Sequence, residues 1–298
     1  MDNKLNNMIQ QFIENNNIDN IDELNEKMQD FLEKYNNGEI EYENTPLDDA
    51  YEMLKEAEDA NKDRKEKIDI AKKVYKKYPE CFDALLLQVK LEDNFIKKLK
   101  LLNKGLIEEK KRLEKENYFD KDNIGHFYGI FETRPYIGGH YMKADILLLT
   151  GKIKQGIEVC KEILRLNEND NTGARYKLMA AYAYLEEEKP ALDLYKKYPE
   201  EDLEMLFPLF ALYYKLGDEA KAKSYLNRIN KANKHFIKYF KDTIKENEDV
   251  MSGYYQKGDS SEVLMYFETY SYLTDTMPLL DEFVLKNSEK NTTKKKHN

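Results

Sequence analysis

Apolar residues recur at three- and four-residue spacing along almost the whole chain, and no stretch sustains a strict apolar-polar alternation, so the pattern predicts an all-α protein. Leu5, Met8, Ile9, Phe12 and Ile13 mark one short helix. Ile21, Leu24, Met28, Phe31 and Leu32 mark a second, entered through Asp19 and Asn20 as cap candidates. After a loop from Asn36 to Pro46, helices are expected at about Asp48–Ala60, Arg64–Lys77, Phe82–Glu92 and Asn94–Asn117. The second of these stops at Tyr78 because Pro79 disfavours helical geometry in the residue before it. Gly125 and Pro135 then bracket an aromatic segment, Phe127-Tyr128-Gly129-Ile130-Phe131, the least regular part of the middle.

Beyond this segment an internal period emerges. Gly151 and Gly217 each follow an apolar helix and precede matching faces: Ile153, Gly156, Ile157, Cys160, Ile163 and Leu164 in one, Ala222, Leu226 and Ile229 in the other. Between them lies a shorter copy, Leu178, Tyr182, Leu185, Ala191, Tyr195 and Tyr198, in which Glu186 takes the place of the turn glycine. Small residues (Gly156, Ala191, Ala222) stand where two helices cross closely, and Tyr51, Tyr75, Tyr182, Tyr195, Tyr213 and Tyr225 are expected to fill gaps between helices. The spacing is tetratricopeptide-like. A lone hairpin cannot bury its apolar face, so the copies must stack. The expected architecture is a tetratricopeptide-like α-solenoid of stacked helical hairpins over residues 46–285, preceded by a short acidic helical N-terminal segment (1–45) and followed by a disordered basic tail (286–298).

Charge sharpens that division. Residues 1–60 hold 4 Lys+Arg against 17 Asp+Glu, a net of −13, while 61–285 hold 39 of each sign and the last 13 residues hold five Lys and one Glu. The whole-chain value of −9 is therefore an N-terminal property, and no extended basic surface for nucleic acid is implied. The mixed-sign run Glu108–Glu116 reads as a solvated helix face with side-chain pairs. No apolar run approaches the ~20 residues a membrane span needs, and the first residues lack a signal-like pattern, so a cytoplasmic protein without membrane contact is expected. Cys81 and Cys160 stand alone and read as buried thiols.

Three motifs carry a resemblance. Gly125-His126-Phe127, Glu132-Thr133-Arg134-Pro135-Tyr136 and Leu164-Arg165-Leu166-Asn167-Glu168-Asn169-Asp170-Asn171-Thr172-Gly173-Ala174-Arg175-Tyr176 resemble bacterial tetratricopeptide-repeat proteins related to the suppressor-of-tumorigenicity family. Weaker similarity extends from Glu23-Leu24-Asn25 and Tyr35-Asn36 to Asn233-Lys234-His235 and Thr276-Met277-Pro278. The resemblance implies an α-solenoid with a protein-binding role and no defining enzymatic activity. The chain departs from it at Gly138-Gly139-His140, where basic and small residues are usual, at Glu168, which replaces the repeat proline, and in carrying Tyr or Phe for Trp.

Taken by their chemistry, Asn167, Asn169, Asp170 and Asn171 suit helix capping and turn geometry. Arg175 can offer a two-pronged hydrogen bond to a partner's carboxylate, or pair internally with Glu132 or Glu158; Arg134 faces the same choice. Arg134, Tyr136, His140, Arg175 and Tyr176 form the candidate partner-binding set, expected to share one exposed groove. His126, Glu132, Arg134, Tyr136, His140 and Tyr141 have the side-chain types an active site uses, yet the chain has no HExxH, GxSxG or phosphate-cradling glycine loop. No catalytic residue, metal or cofactor is assigned. The expected function is a scaffold or adaptor binding a protein or peptide. The alternative is a peptide-responsive regulator whose ligand changes solenoid curvature, and an enzyme at His126–Tyr141 ranks third.

Overall fold

A computed structural model describes residues 5, 8–9, 11–13, 16, 20–39, 42, 44–241 and 255–293. Those residues are helical, with turns between helices, no β-strand and one isolated bridge, His126 with Asn167. None of their helices is long and apolar enough to cross a membrane. The chain divides into two units, Met1–Glu116 and Asn117–Asn298, a boundary that falls inside the single solenoid body expected over 46–285.

The first unit holds α1 (Ile21–Asn36), α2 (Pro46–Lys55), α3 (Arg64–Lys77), α4 (Phe82–Leu91) and α5 (Phe95–Lys115). Its helix starts are written in the sequence. Asn20 accepts the Glu23 N–H at 2.9 Å, and Thr45/Asp48 and Asp63/Glu66 form reciprocal capping boxes. Of the helix expected at Leu5–Ile13, only Leu5, Met8, Ile9 and 11–13 are described, and all of these are helical; the Phe12 ring lies 5.0 Å from Phe31. Tyr51 donates to the Asp83 carboxylate, tying α2 to α4. The mixed-sign run on α5 makes the expected pairs, except that Glu109 is buried, where Arg112 holds it at 2.6 Å.

The second unit begins with the aromatic loop and continues through α6 (Arg134–Leu149), α7 (Ile153–Leu166), α8 (Ala174–Tyr184), α9 (Glu188–Lys197), α10 (Leu203–Lys215) and α11 (Glu219–Ala232). These pack as neighbouring pairs, and the first helices of successive pairs also touch, α6 on α8 and α8 on α10. Three turns close the hairpins in the same way. The Gly151, Glu186 and Gly217 N–H groups bond to Leu148, Ala183 and Tyr214, and the residues after them bond to Leu147, Tyr182 and Tyr213. That double closure requires a left-handed residue, and the φ values are +75°, +61° and +75°. Glu186 thus occupies the glycine place in geometry as well as in alignment. At Gly156 a Cβ would stand 2.6 Å from the Leu148 side chain, so the missing side chain sets the approach of α7 to α6.

After α11 come α12 (Phe236–Phe240), α13 (Ser260–Thr269), α14 (Ser271–Thr274) and α15 (Leu280–Thr293). Phe207 on α10 gathers Phe236, Tyr266 and Phe267 within 4.9–5.8 Å into one aromatic core. The tail expected to be disordered from 286 is helical as far as Thr293, because Leu280, Val284 and Phe283 seat α15 and the helix runs on from them. Lys294, Lys295 and Lys296 lie outside the described residues.

Candidate functional site

The motif segments meet each other before they meet anything else. The Phe127 N–H bonds to the Leu166 carbonyl at 3.0 Å and the Glu168 N–H to the Gly125 carbonyl at 2.9 Å, which pins Gly125-His126-Phe127 to the end of α7. Phe127 is fully buried against Phe119 (5.0 Å) and Tyr136 (6.5 Å). Thr133 is buried and donates its hydroxyl to the Phe127 and Ile130 carbonyls. Arg134 is exposed, but its guanidinium folds back: Nε donates to the Tyr128 carbonyl at 2.7 Å, and the group sits 5.6 and 5.7 Å from the Tyr128 and Phe131 rings.

At the next junction Asp170 organises the start of α8. Its carboxylate accepts the Ala174 and Arg175 N–H groups at 2.8 and 2.9 Å and Arg175 Nη1 at 2.8 Å. Arg175 Nη2 spans both Glu200 oxygens at 3.0 and 3.1 Å, and its guanidinium lies 4.1 Å over the Tyr176 ring. Burial alone would lower the Arg175 pKa; the bond to Asp170 and the pull of Glu200 hold it above the ordinary arginine value. The Tyr176 hydroxyl lies 2.5 Å from Glu200 and 3.2 Å from Asp202, and Lys257 closes the cluster by donating to Asp202 at 2.7 Å.

This placement corrects the expectation of one exposed groove. Tyr136 and Tyr176 are 3% and 8% exposed, His140 lies half-buried edge-on to Tyr136 at 4.6 Å, and the Arg175 side chain is 14% exposed and paired with Asp170 and Glu200. Of the five residues only Arg134 is exposed, and it serves its own loop. The partners of Arg175 are Asp170 and Glu200; of the two expected, Glu158 pairs with Lys161 instead. Glu200 stands in the link before α10, one hairpin further on, which is why spacing within the motif did not reveal it. The catalytic grouping is likewise spread: His126 is exposed at the bridge, and Tyr141 faces a different set of residues. Among the described residues no group of three or more His, Cys, Asp or Glu is arranged to hold a metal. Burial pushes the thiols of Cys81 and Cys160 up to about 12.

That different set lies where α6, α8 and α10 succeed one another. Lys177 on α8 is 4% exposed; it donates to Asp145 on α6 and sits 4.4 Å over the Tyr141 ring. Burial works to lower its pKa, and Asp145 and Tyr141 together raise it above the ordinary lysine value. Glu204 on α10 accepts from Tyr255 at 2.9 Å and Tyr270 at 3.3 Å, with burial raising its pKa and those hydroxyls opposing. Tyr184 on α8 presents its ring to Lys215 (5.2 Å) and Tyr272 (6.1 Å). Apart from Tyr141, which stood among the catalytic candidates, none of these residues was singled out from sequence. Asp145 and Lys177 are 32 residues apart, about one repeat, so the repeat spacing itself was the available signal for their lateral contact.

What this row holds is a buried ammonium paired with Asp145, the Glu204 carboxylate accepting from two tyrosines, and aromatic rings on adjacent helices. No family model matches the chain, and no curated protein matches it.

Proposed function

We propose that this chain is a cytoplasmic scaffold or adaptor: a tetratricopeptide-like α-solenoid that binds a protein or peptide segment along the row of first helices α6, α8 and α10. The observation that carries the reading is the recurrence of one hairpin closure at Gly151, Glu186 and Gly217, spaced 35 and 31 residues apart and close to the 34 of the tetratricopeptide unit. Repetition of one closure aligns successive first helices, and aligned helices make a continuous strip of side chains of the kind repeat proteins use for recognition. Fold alone supplies a surface and no chemistry, so the binding assignment rests on the side chains of that strip, Tyr141, Asp145, Lys177, Tyr184 and Glu204. Arg134, Tyr136, His140, Arg175 and Tyr176, the first candidates, are reassigned to holding the hairpin junctions. Two buried, free thiols support the reducing compartment.

Co-purification of the tagged chain from its native cell, followed by mass spectrometry, tests the scaffold. A reproducible protein partner that is lost from a Tyr184→Ala variant is the expected result. Recovery of no partner enriched over a control bait contradicts it. The regulator reading gains one specific support, the C-terminal segment that crosses α8.

A further inference from the structure

The first-helix row is already partly covered by the chain itself. Between α13 and α15, residues Tyr270–Met277 run across α8, with the single turn α14 packed on that helix. Tyr270 reaches Glu204 on α10, and the Tyr272 ring meets Tyr184 on α8. Burial pushes the Tyr272 hydroxyl well above its ordinary value. Leu273 and Met277 are buried at 0% and 3%.

Two observations mark this strap as an occupant rather than a core. First, the Tyr272 hydroxyl is buried with no hydrogen-bond partner, as is the hydroxyl of neighbouring Tyr266. A buried hydroxyl left unmade forfeits the water it held and returns nothing, so docking the strap carries a standing penalty. Second, the strap does not fill the space beside it: a cavity of about 520 Å³ opens between Thr276, Met277 and Pro278 on one side and Glu186, Tyr214 and Lys215 on the other. The flanking helices have anchors of their own. Asn233 donates to Glu262 on α13 at 2.8 Å and Phe207 packs on Tyr266, while Phe283 on α15 lies 5.2 Å from Tyr214 and 5.9 Å from Phe210. Both ends of the strap are therefore held by contacts that do not involve α8.

We propose that Tyr270–Met277 is a built-in competitor for the first-helix row, and that the partner is a segment of like chemistry that displaces it. Such a segment carries an aromatic side chain for the Tyr184 ring, an aliphatic one for the place of Leu273, and a hydrogen-bond donor for Glu204. This rests on the reading of the row as a binding surface. Its consequence is regulatory: apparent affinity is the intrinsic affinity scaled by the fraction of molecules whose strap is off.

The test uses the full chain and a fluorescent peptide of residues 268–279, the strap's own sequence. Leu273→Ser removes the buried anchor and is expected to bind the peptide about tenfold more tightly than wild type. Tyr272→Phe removes only the unpartnered hydroxyl, stabilises the docked strap, and is expected to bind about threefold more weakly. Equal binding by all three proteins, or the reverse order, overturns the proposal. If circular dichroism shows Leu273→Ser unfolded, Tyr272→Phe against wild type decides alone. If Leu273→Ser binds the peptide more tightly yet co-purifies no cellular partner, the strap stands and the scaffold reading fails.

Discussion

The motif-bearing junctions and the first-helix row lie in the same unit, use similar side chains and behave in opposite ways. At the junctions the charged groups of the motifs close on residues near them in the chain or in the next link, Arg134 on its own loop carbonyls, Asp170 on the α8 N–H groups and Arg175 on Asp170 and Glu200, while Lys257 reaches Asp202 from further along. Along the row the pairs reach one hairpin or further, Lys177 to Asp145 over 32 residues and Tyr270 to Glu204 over 66. The difference teaches that a dense sequence motif in a repeat protein can be the fastening of a turn. The pairs that join successive helices are dispersed at about one residue per helix, where no motif records them.

Five substitutions sharpen that contrast. Asp170→Ala is expected to have the largest effect, lowering unfolding free energy by about 3 kcal/mol in a urea titration, since it strands two N–H groups and leaves Arg175 half-paired. Asp145→Asn follows at about 2 kcal/mol, because it leaves the buried Lys177 ammonium without its counter-charge, whereas Lys177→Met, which removes the charge itself, stays within about 1 kcal/mol of wild type. pH gives that pair a second readout. Lys177 is held above its ordinary value of 10.5, so the stability it lends is complete below 10.5 and is lost as pH rises through the higher folded value. Any advantage of wild type over Lys177→Met should therefore shrink in strongly alkaline buffer.

Smaller effects fall at the turns. Glu186→Gly is expected to raise stability by about 1 kcal/mol, because glycine takes φ +61° without the strain a side chain incurs, and the Lys215 contact it gives up is a 3.5 Å pair with a half-exposed carboxylate. Arg134→Ala is expected to change stability by about 0.5 kcal/mol, read as a shift in urea midpoint, since an exposed side chain gives its carbonyl partners up to water. A large loss at Arg134 paired with no loss at Asp170 would invert the account of the junctions.

What could be read from sequence follows from how local each cause is. Helix ends were legible at Arg64–Lys77, where Asp63 and Glu66 cap the start and Pro79 bars the end. The repeat turns were legible at Gly151 and Gly217, and even Glu186 could be placed by alignment. The roles of Tyr136 and Tyr176 were not, because only packing decides whether a tyrosine in a motif faces solvent or Phe127. Arg175 was half legible: a pairing cation at a helix start was plain, but Glu200 enters from the link before α10. Lys177 looked like any helical lysine, and its burial depends on α6 supplying Asp145 and Tyr141.

The most direct measurement compares partner recovery by the wild-type chain, Tyr184→Ala and Arg134→Ala, each shown folded by circular dichroism, in one quantitative co-purification. Loss of the partner with Tyr184→Ala and retention with Arg134→Ala is the predicted result. Retention with Tyr184→Ala and loss with Arg134→Ala contradicts the account and returns the binding surface to the motif.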